Sequence, residues 1–169
     1  SLFFQTFFLH RYAAHGAFKM SPFWEKVFYI CTWFFQGSNY LSPYGYGVMH
    51  RMHHAYADTD KDPHSPKYHK NIFKMMWVTK LFYSKINKKK VLVDENFTKG
   101  VPDWRAFDKF ASSYVSRISW GIVYTMFYIH FAPSWQWYLL LPIHYLMSPI
   151  HGAIINWFAH VVGYVNYKV

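Results

Sequence analysis

Five histidines fall within 45 residues in two groups, and any fold of this chain has to account for them. The groups read His10-Arg11-Tyr12-Ala13-Ala14-His15 and His50-Arg51-Met52-His53-His54. Imidazole is a versatile neutral nitrogen ligand for iron, zinc, copper and nickel. Here the clusters are flanked by apolar, aromatic sequence, in a chain with 11 histidines among 169 residues. That pattern points to a polynuclear metal site beside a membrane.

Helical spacing treats the two groups differently. His50, His53 and His54 stand at i, i+3 and i+4 and share one helical face. His10 and His15 are five apart, and five residues of regular helix turn about 500°, or about 140° net, so their rings diverge. They serve one metal only if the helix ends or distorts between them; otherwise each faces a different metal. Five or six imidazoles exceed the four ligands of a structural zinc site, which argues for two metals. Competing chemistries lack their motifs. There is no His-Glu-x-x-His, no Glu-x-x-His pair, and a single cysteine, Cys31.

Composition sets the surroundings. Aromatic residues are 24% and charged residues 15%, against about 25% charged in ordinary globular chains. Seventeen Phe, 15 Tyr and 8 Trp suit an interface where rings lie in hydrocarbon and polar atoms in water. Mean hydropathy is near zero, so much of the chain belongs outside the bilayer. The formal net charge of +10 is concentrated between Lys67 and Lys109. That stretch reads as a cytoplasmic loop under the positive-inside rule, or as a surface for anionic lipid or a phosphate-bearing substrate. No nucleic-acid-binding motif accompanies it, so nucleic acid is not an expected partner.

Along the chain, residues 1–9 read as the inner end of a transmembrane helix whose beginning lies outside the sequence. Met20-Ser21-Pro22 signals a turn and a helix start, giving an interfacial helix over about 22–36. Residues 37–46, rich in Gly, Ser, Asn and Pro, read as a loop or broken helix. The helix of the second cluster covers about 47–57. An acidic turn over 58–66, an amphipathic helix over 71–83 and a polar loop over 85–103 follow. Residues 111–132 and 135–155 read as two spans of roughly 21 residues, about 30 Å each, joined at Ala132-Pro133-Ser134. This transmembrane hairpin over about 111–155 returns the chain to the side it left, so His160 emerges on the face of the other clusters. The expected fold class is all-α, an integral membrane helical protein with a histidine-rich cap on the cytoplasmic face.

His-x4-His, then His-x2-His-His after 34 intervening residues, then Asn156-x3-His160 beyond the hairpin, resembles the membrane fatty acid desaturase family. The likeness is nearest to its acyl-CoA (delta-9-like) branch. Asp62-Pro63-His64 after the second cluster and Gly163-Tyr164 after His160 also resemble that branch. The resemblance implies a non-haem di-iron centre of two Fe ions. His10, His15, His50, His53, His54 and His160 would be its ligands, and Asn156 would reach iron through a water. It implies a reaction that uses O2 and two electrons to remove two hydrogens from adjacent methylenes of an acyl chain. The partners implied are a fatty-acyl thioester or lipid, an electron donor of ferredoxin or cytochrome b5 type, and membrane lipid.

Two departures from the family pattern stand out. A third His-x2-His-His box, expected beyond the Gly-Tyr turn, is absent, as are the first transmembrane helices. The sequence is therefore expected to be a partial desaturase domain, inactive alone. Tyr46-Gly47-Val48-Met49 replaces the Trp-x-Arg-Asp stretch that animal acyl-CoA desaturases carry before the second box. The carrier thus stays open among acyl-CoA, acyl carrier protein and intact lipid. Asp58 and Asp62 are candidates to orient ligand histidines through the second ring nitrogen, or else simply form turns. Arg11 and Arg51 read as side chains snorkelling toward headgroups. His64 and His69 read as loop residues, and His130 and His144 as helix-packing partners. The rival readings are a membrane di-iron fatty acid hydroxylase and a non-catalytic membrane haem or metal-binding protein.

Overall fold

A computed structural model describes residues 1–57 and 59–161, without the side chains of Pro149, Asn156, Ala159, His160 and Val161. Every regular element among the described residues is helical. The chain opens with α1 (Leu2–Phe4), which runs directly into a π-helical winding over Gln5–Ala14. Then come α2 (Pro22–Gln36), α3 (Pro43–Tyr56), α4 (Ile72–Asn87), α5 (Glu95–Thr98), α6 (Arg105–Ala111), α7 (Tyr114–Phe131) and α8 (Leu141–Val161).

Side-chain caps set several starts. Ser21 before Pro22 and Ser42 before Pro43 are matched N-termini, each with proline at the first helical position. Asn71 caps α4 and Ser113 caps α7 by accepting backbone N–H bonds. The second cluster's helix therefore begins at Pro43, four residues before the expected Gly47. Gly45 and Gly47 lie inside it because the Ser42 cap and burial on both sides outweigh the cost of helical glycine.

Two apolar cores flank α3. Phe8, Leu9 and Tyr29 form the centre of one, with Tyr46 of α3 packed against it. Val48 of α3, Ile86 and Val101 form the other. The helix carrying the second cluster is thus wedged between the first cluster's helix and α4. Residues 36–42 are pinned from several directions. Arg117 donates to the carbonyls of Ser38 and Tyr40, Asn39 donates to the His144 carbonyl at 2.6 Å, and the Ser38 N–H donates to the Tyr124 hydroxyl at 3.3 Å. Gly37 makes this turn at φ +56°, and a Cβ there would lie 1.7 Å from the Tyr124 hydroxyl oxygen.

The expected pair of spans takes a different form. No helix among the described residues is long and apolar enough to cross a membrane. Ser112 and Ser113 end α6 and start α7 anew, leaving 18 residues, about 27 Å. The 3₁₀ winding at Trp135–Leu140 delays α8, which carries His144, Ser148 and His151. The hairpin itself forms. Gly121 brings α7 against Tyr145 of α8, whose hydroxyl donates to the Gly121 carbonyl at 2.9 Å. Its outer face exposes Val115, Ile118, Ile122, Met126 and Phe127.

Candidate metal centre

The first cluster is shaped by the π winding. Its backbone bonds run from residue i+5 to residue i, as in His15 N–H to the His10 carbonyl at 3.0 Å. Such a winding carries more residues per turn than an α-helix, so positions five apart return to nearly the same face. The rings of His10 and His15, which a regular helix would separate, lie with centroids 4.6 Å apart.

Against this pair α3 sets His50 and His54, four residues apart on one face. The Nε2 atoms of His50 and His15 are 3.3 Å apart, and those of His54 and His50 are 3.0 Å apart. His10 and His50 ring centroids are separated by 4.7 Å. One ligand nitrogen from each of His10, His15, His50 and His54 falls within 4.8 Å of the other three. Burial, and then the neighbouring rings of His10, His54, His15 and His53, push His50 down to about 3. His10 and His54 are lowered too, first by burial and then by adjacent imidazoles. Neutral rings present lone pairs, which is the form a cation needs. Tyr46, one turn before His50, stacks on its ring at 5.4 Å and an 11° interplanar angle.

His53 belongs to an adjoining group with Asp62 and His64. Its Nδ1 lies 3.0 and 2.9 Å from the two Asp62 oxygens. The His64 ring stacks on it at 4.3 Å, and the His64 N–H donates to the Asp62 carboxylate at 3.1 Å. Burial works to raise the Asp62 carboxyl, but the bonds from His53 and His64 outweigh it and hold the group below the usual carboxylate range. With Nδ1–H donated to a carboxylate, the His53 lone pair sits on Nε2. His53 remains close to the four-histidine group, at 5.8 Å from His54 and 6.4 Å from His50 by ring centroid.

The structure thus brings four of the seven expected ligand residues into one cluster, with His53 beside it. Asn156 and His160 lie in α8, outside the residues whose side chains are described, and Asp58 lies outside the described residues altogether. Three neighbours escaped sequence reasoning. His64, read as a loop residue, is buried; its place in Asp62-Pro63-His64 was the available signal. Arg51, read as snorkelling, instead donates to four backbone carbonyls. Tyr46 had no signal beyond its spacing of four from His50. His144 packs its ring against Tyr124 and Tyr128, away from the cluster. A ring of converging imidazole nitrogens, beside a fifth imidazole paired with a carboxylate, fits divalent iron or another borderline cation.

Residues 1–167 match the sequence pattern of the fatty acid desaturase family. The chain is 33% identical over 81 residues to the Delta-9 desaturase-like 4 protein of Arabidopsis thaliana, covering 47% of this chain and 26% of that one. It is 39% identical over 63 residues to the palmitoyl-monogalactosyldiacylglycerol delta-7 desaturase, chloroplastic, of the same plant, covering 36% and 16%. It is 26% identical over 120 residues to the acyl-CoA Delta(11) desaturase of Choristoneura rosaceana, covering 70% and 36%. The aligned stretch therefore spans little more than a third of these relatives' lengths at most. No solved structure matches the chain.

Proposed function

The chain belongs to the fatty acid desaturase family, and we propose that its two histidine clusters form the iron site of an oxygen-dependent fatty-acyl desaturase. The observation that carries this is the convergence of His10, His15, His50 and His54 from two chain segments to within ligand distance of one another. In this reading these four hold iron together with His53, His160 and, through a water, Asn156, as a pair of Fe ions. When bound, the irons supply the oxidising power, with O2 and two electrons, that takes two hydrogens from adjacent methylenes. The chain's own residues have other tasks. Asp62 fixes the His53 tautomer, burial keeps His50 neutral, and Tyr46 walls one side of the His50 ring. An aromatic wall suits exclusion of water from an acyl chain held at the site.

The substrate is an acyl lipid or thioester, and two relatives' names mark the range, one an acyl-CoA desaturase and one a desaturase of a palmitoyl galactolipid. The electron donor is of ferredoxin or cytochrome b5 type. The exposed apolar residues of α7, among them Ile118, Ile122 and Met126, support contact with membrane lipid. The basic stretch supports a site on the cytoplasmic side. The test is product analysis in a host lacking its own desaturase activity, using the full-length protein that carries this sequence, as wild type and with His50→Ala, His53→Ala and His54→Ala. A monounsaturated product from wild type and none from the variants is expected. Turnover retained in all three would overturn the ligand assignment, and a hydroxylated product would move the protein to hydroxylase chemistry. Purified protein should carry iron without a Soret band; such a band would point to haem.

A further inference from the structure

We infer that Arg51, seated beside Gly47, is a positioning residue that fixes the end of the first histidine cluster, and so the place of His15 against His50 and His54. The carbonyls at the end of the π winding find two kinds of donor. Backbone donors from His15, Ala17 and Gly16 reach the carbonyls of His10, Arg11 and Tyr12, respectively. The next two carbonyls, of Ala13 and Ala14, receive Arg51 instead. Its Nε donates to Ala14 at 2.6 Å and Nη2 to Ala13 at 3.4 Å. The other edge of the guanidinium turns to a third segment, Nη1 donating to the Lys99 carbonyl at 2.7 Å and the Phe97 carbonyl at 3.4 Å. A planar fork with several fixed donors can bridge backbone strands this way; an ammonium cannot reach them together. The positive charge also lies where a helix end is negative.

Gly47 is an independent observation on the same face. It precedes Arg51 by four residues, and a Cβ there would lie 3.0 Å from the Ala13 carbonyl oxygen and 3.2 Å from its carbon. Those are backbone atoms with no freedom to swing aside. Glycine therefore permits the close approach that Arg51 captures. On α3 the pair Gly47 and Arg51 forms a row about 60° around from the pair His50 and His54. One row holds the backbone that ends in His15, and the neighbouring row meets the His15 ring. The registry of the two clusters is thereby set by contacts that involve no imidazole.

The role toward metal rests on the desaturase reading; the backbone clamp does not. Two measurements keep them apart. In metal-free protein, Arg51→Lys and Gly47→Ala should raise amide hydrogen exchange at His15, Gly16 and Ala17 about tenfold or more, since charge-assisted bonds are lost or stretched. Unchanged protection in both variants would overturn the clamp. In protein loaded with iron(II), Arg51→Lys should lose iron to a competing chelator at about tenfold lower chelator concentration, within the range for residues that orient ligands. A double-mutant cycle with His15→Ala gives the discriminating readout. If Arg51 acts through His15, its substitution changes iron retention little once His15 is gone. An equal loss in both backgrounds would mean a general structural role and would overturn the positioning assignment. Full-length protein carrying this sequence that takes up no iron would sink the desaturase reading, while the exchange experiment would still decide the clamp.

Discussion

A carboxylate with both oxygens on one imidazole nitrogen decides where that ring keeps its proton. Asp62 does this to His53, and the buried carboxylate is itself held by the His64 N–H. Asp62→Asn keeps the shape but offers one oxygen and one amide group, so in one of its two flips it would repel the His53 N–H. Iron affinity is expected to fall about 10- to 100-fold with little change in helix content, checked by chelator competition and circular dichroism. Unaltered affinity would show that His53 is oriented by other contacts. The grouping of the histidines was legible in the sequence because spacing at i, i+3 and i+4 is a property of residue numbers alone. The stacking of Tyr46 and His64 on the rings of His50 and His53 was not, because it depends on how the side chains turn and where the 62–64 segment folds back.

Caps mark helix starts in a sequence most plainly where they stand apart from glycine. Ser21-Pro22 announced α2, whereas the same Ser-Pro signal at Ser42-Pro43 was outvoted by Gly45 and Gly47. The π winding left no trace in the sequence beyond the five-residue spacing of His10 and His15. Ser42 is the busiest cap. Its hydroxyl accepts from the Gly45 N–H and donates to Asp108 at 2.8 Å, while its N–H donates to the Tyr83 hydroxyl at 2.7 Å. Ser42→Ala should cost about 2 kcal/mol in denaturant unfolding, combining a lost cap with a lost bond to a buried carboxyl. Asp108, also bonded by Tyr40 at 2.6 Å, is raised to about 6, first by burial, against the lowering effect of those two hydroxyls. The folded state therefore binds this proton more tightly than the unfolded chain. Its stabilising contribution is complete below the ordinary carboxylate value near 3.8 and is lost as pH rises through about 6. Asp108→Asn, which resembles the protonated acid, should be at least as stable as wild type at pH 7 and lose that relative advantage by pH 4. A stability difference between the two that does not vary with pH would refute the assignment.

Across the molecule, the all-helical class could be read from pattern, but not where the hairpin starts: the span read from residue 111 begins instead at Tyr114, after the Ser113 cap. The larger consequence of the fold is that the four-histidine group is contributed by two segments, with 34 residues between His15 and His50. An ion bound there ties the π winding to α3, across the face that Phe8, Leu9 and Tyr46 pack on one side. The unfolded chain cannot offer four imidazoles in that arrangement, so in the proposed reading an ion would bind the folded state in preference and stabilise it by mass action. At free iron(II) one hundred times its dissociation constant, the gain is about 2.7 kcal/mol. The melting temperature should therefore rise by several degrees on loading and return on chelation. His54→Ala should lose most of that rise, because it removes one of the four converging nitrogens. Exposed His151, placed outside the cluster, serves as the control, and His151→Ala should keep the full rise. Equal shifts in the two variants would mean that iron stabilises the protein from somewhere other than the paired clusters.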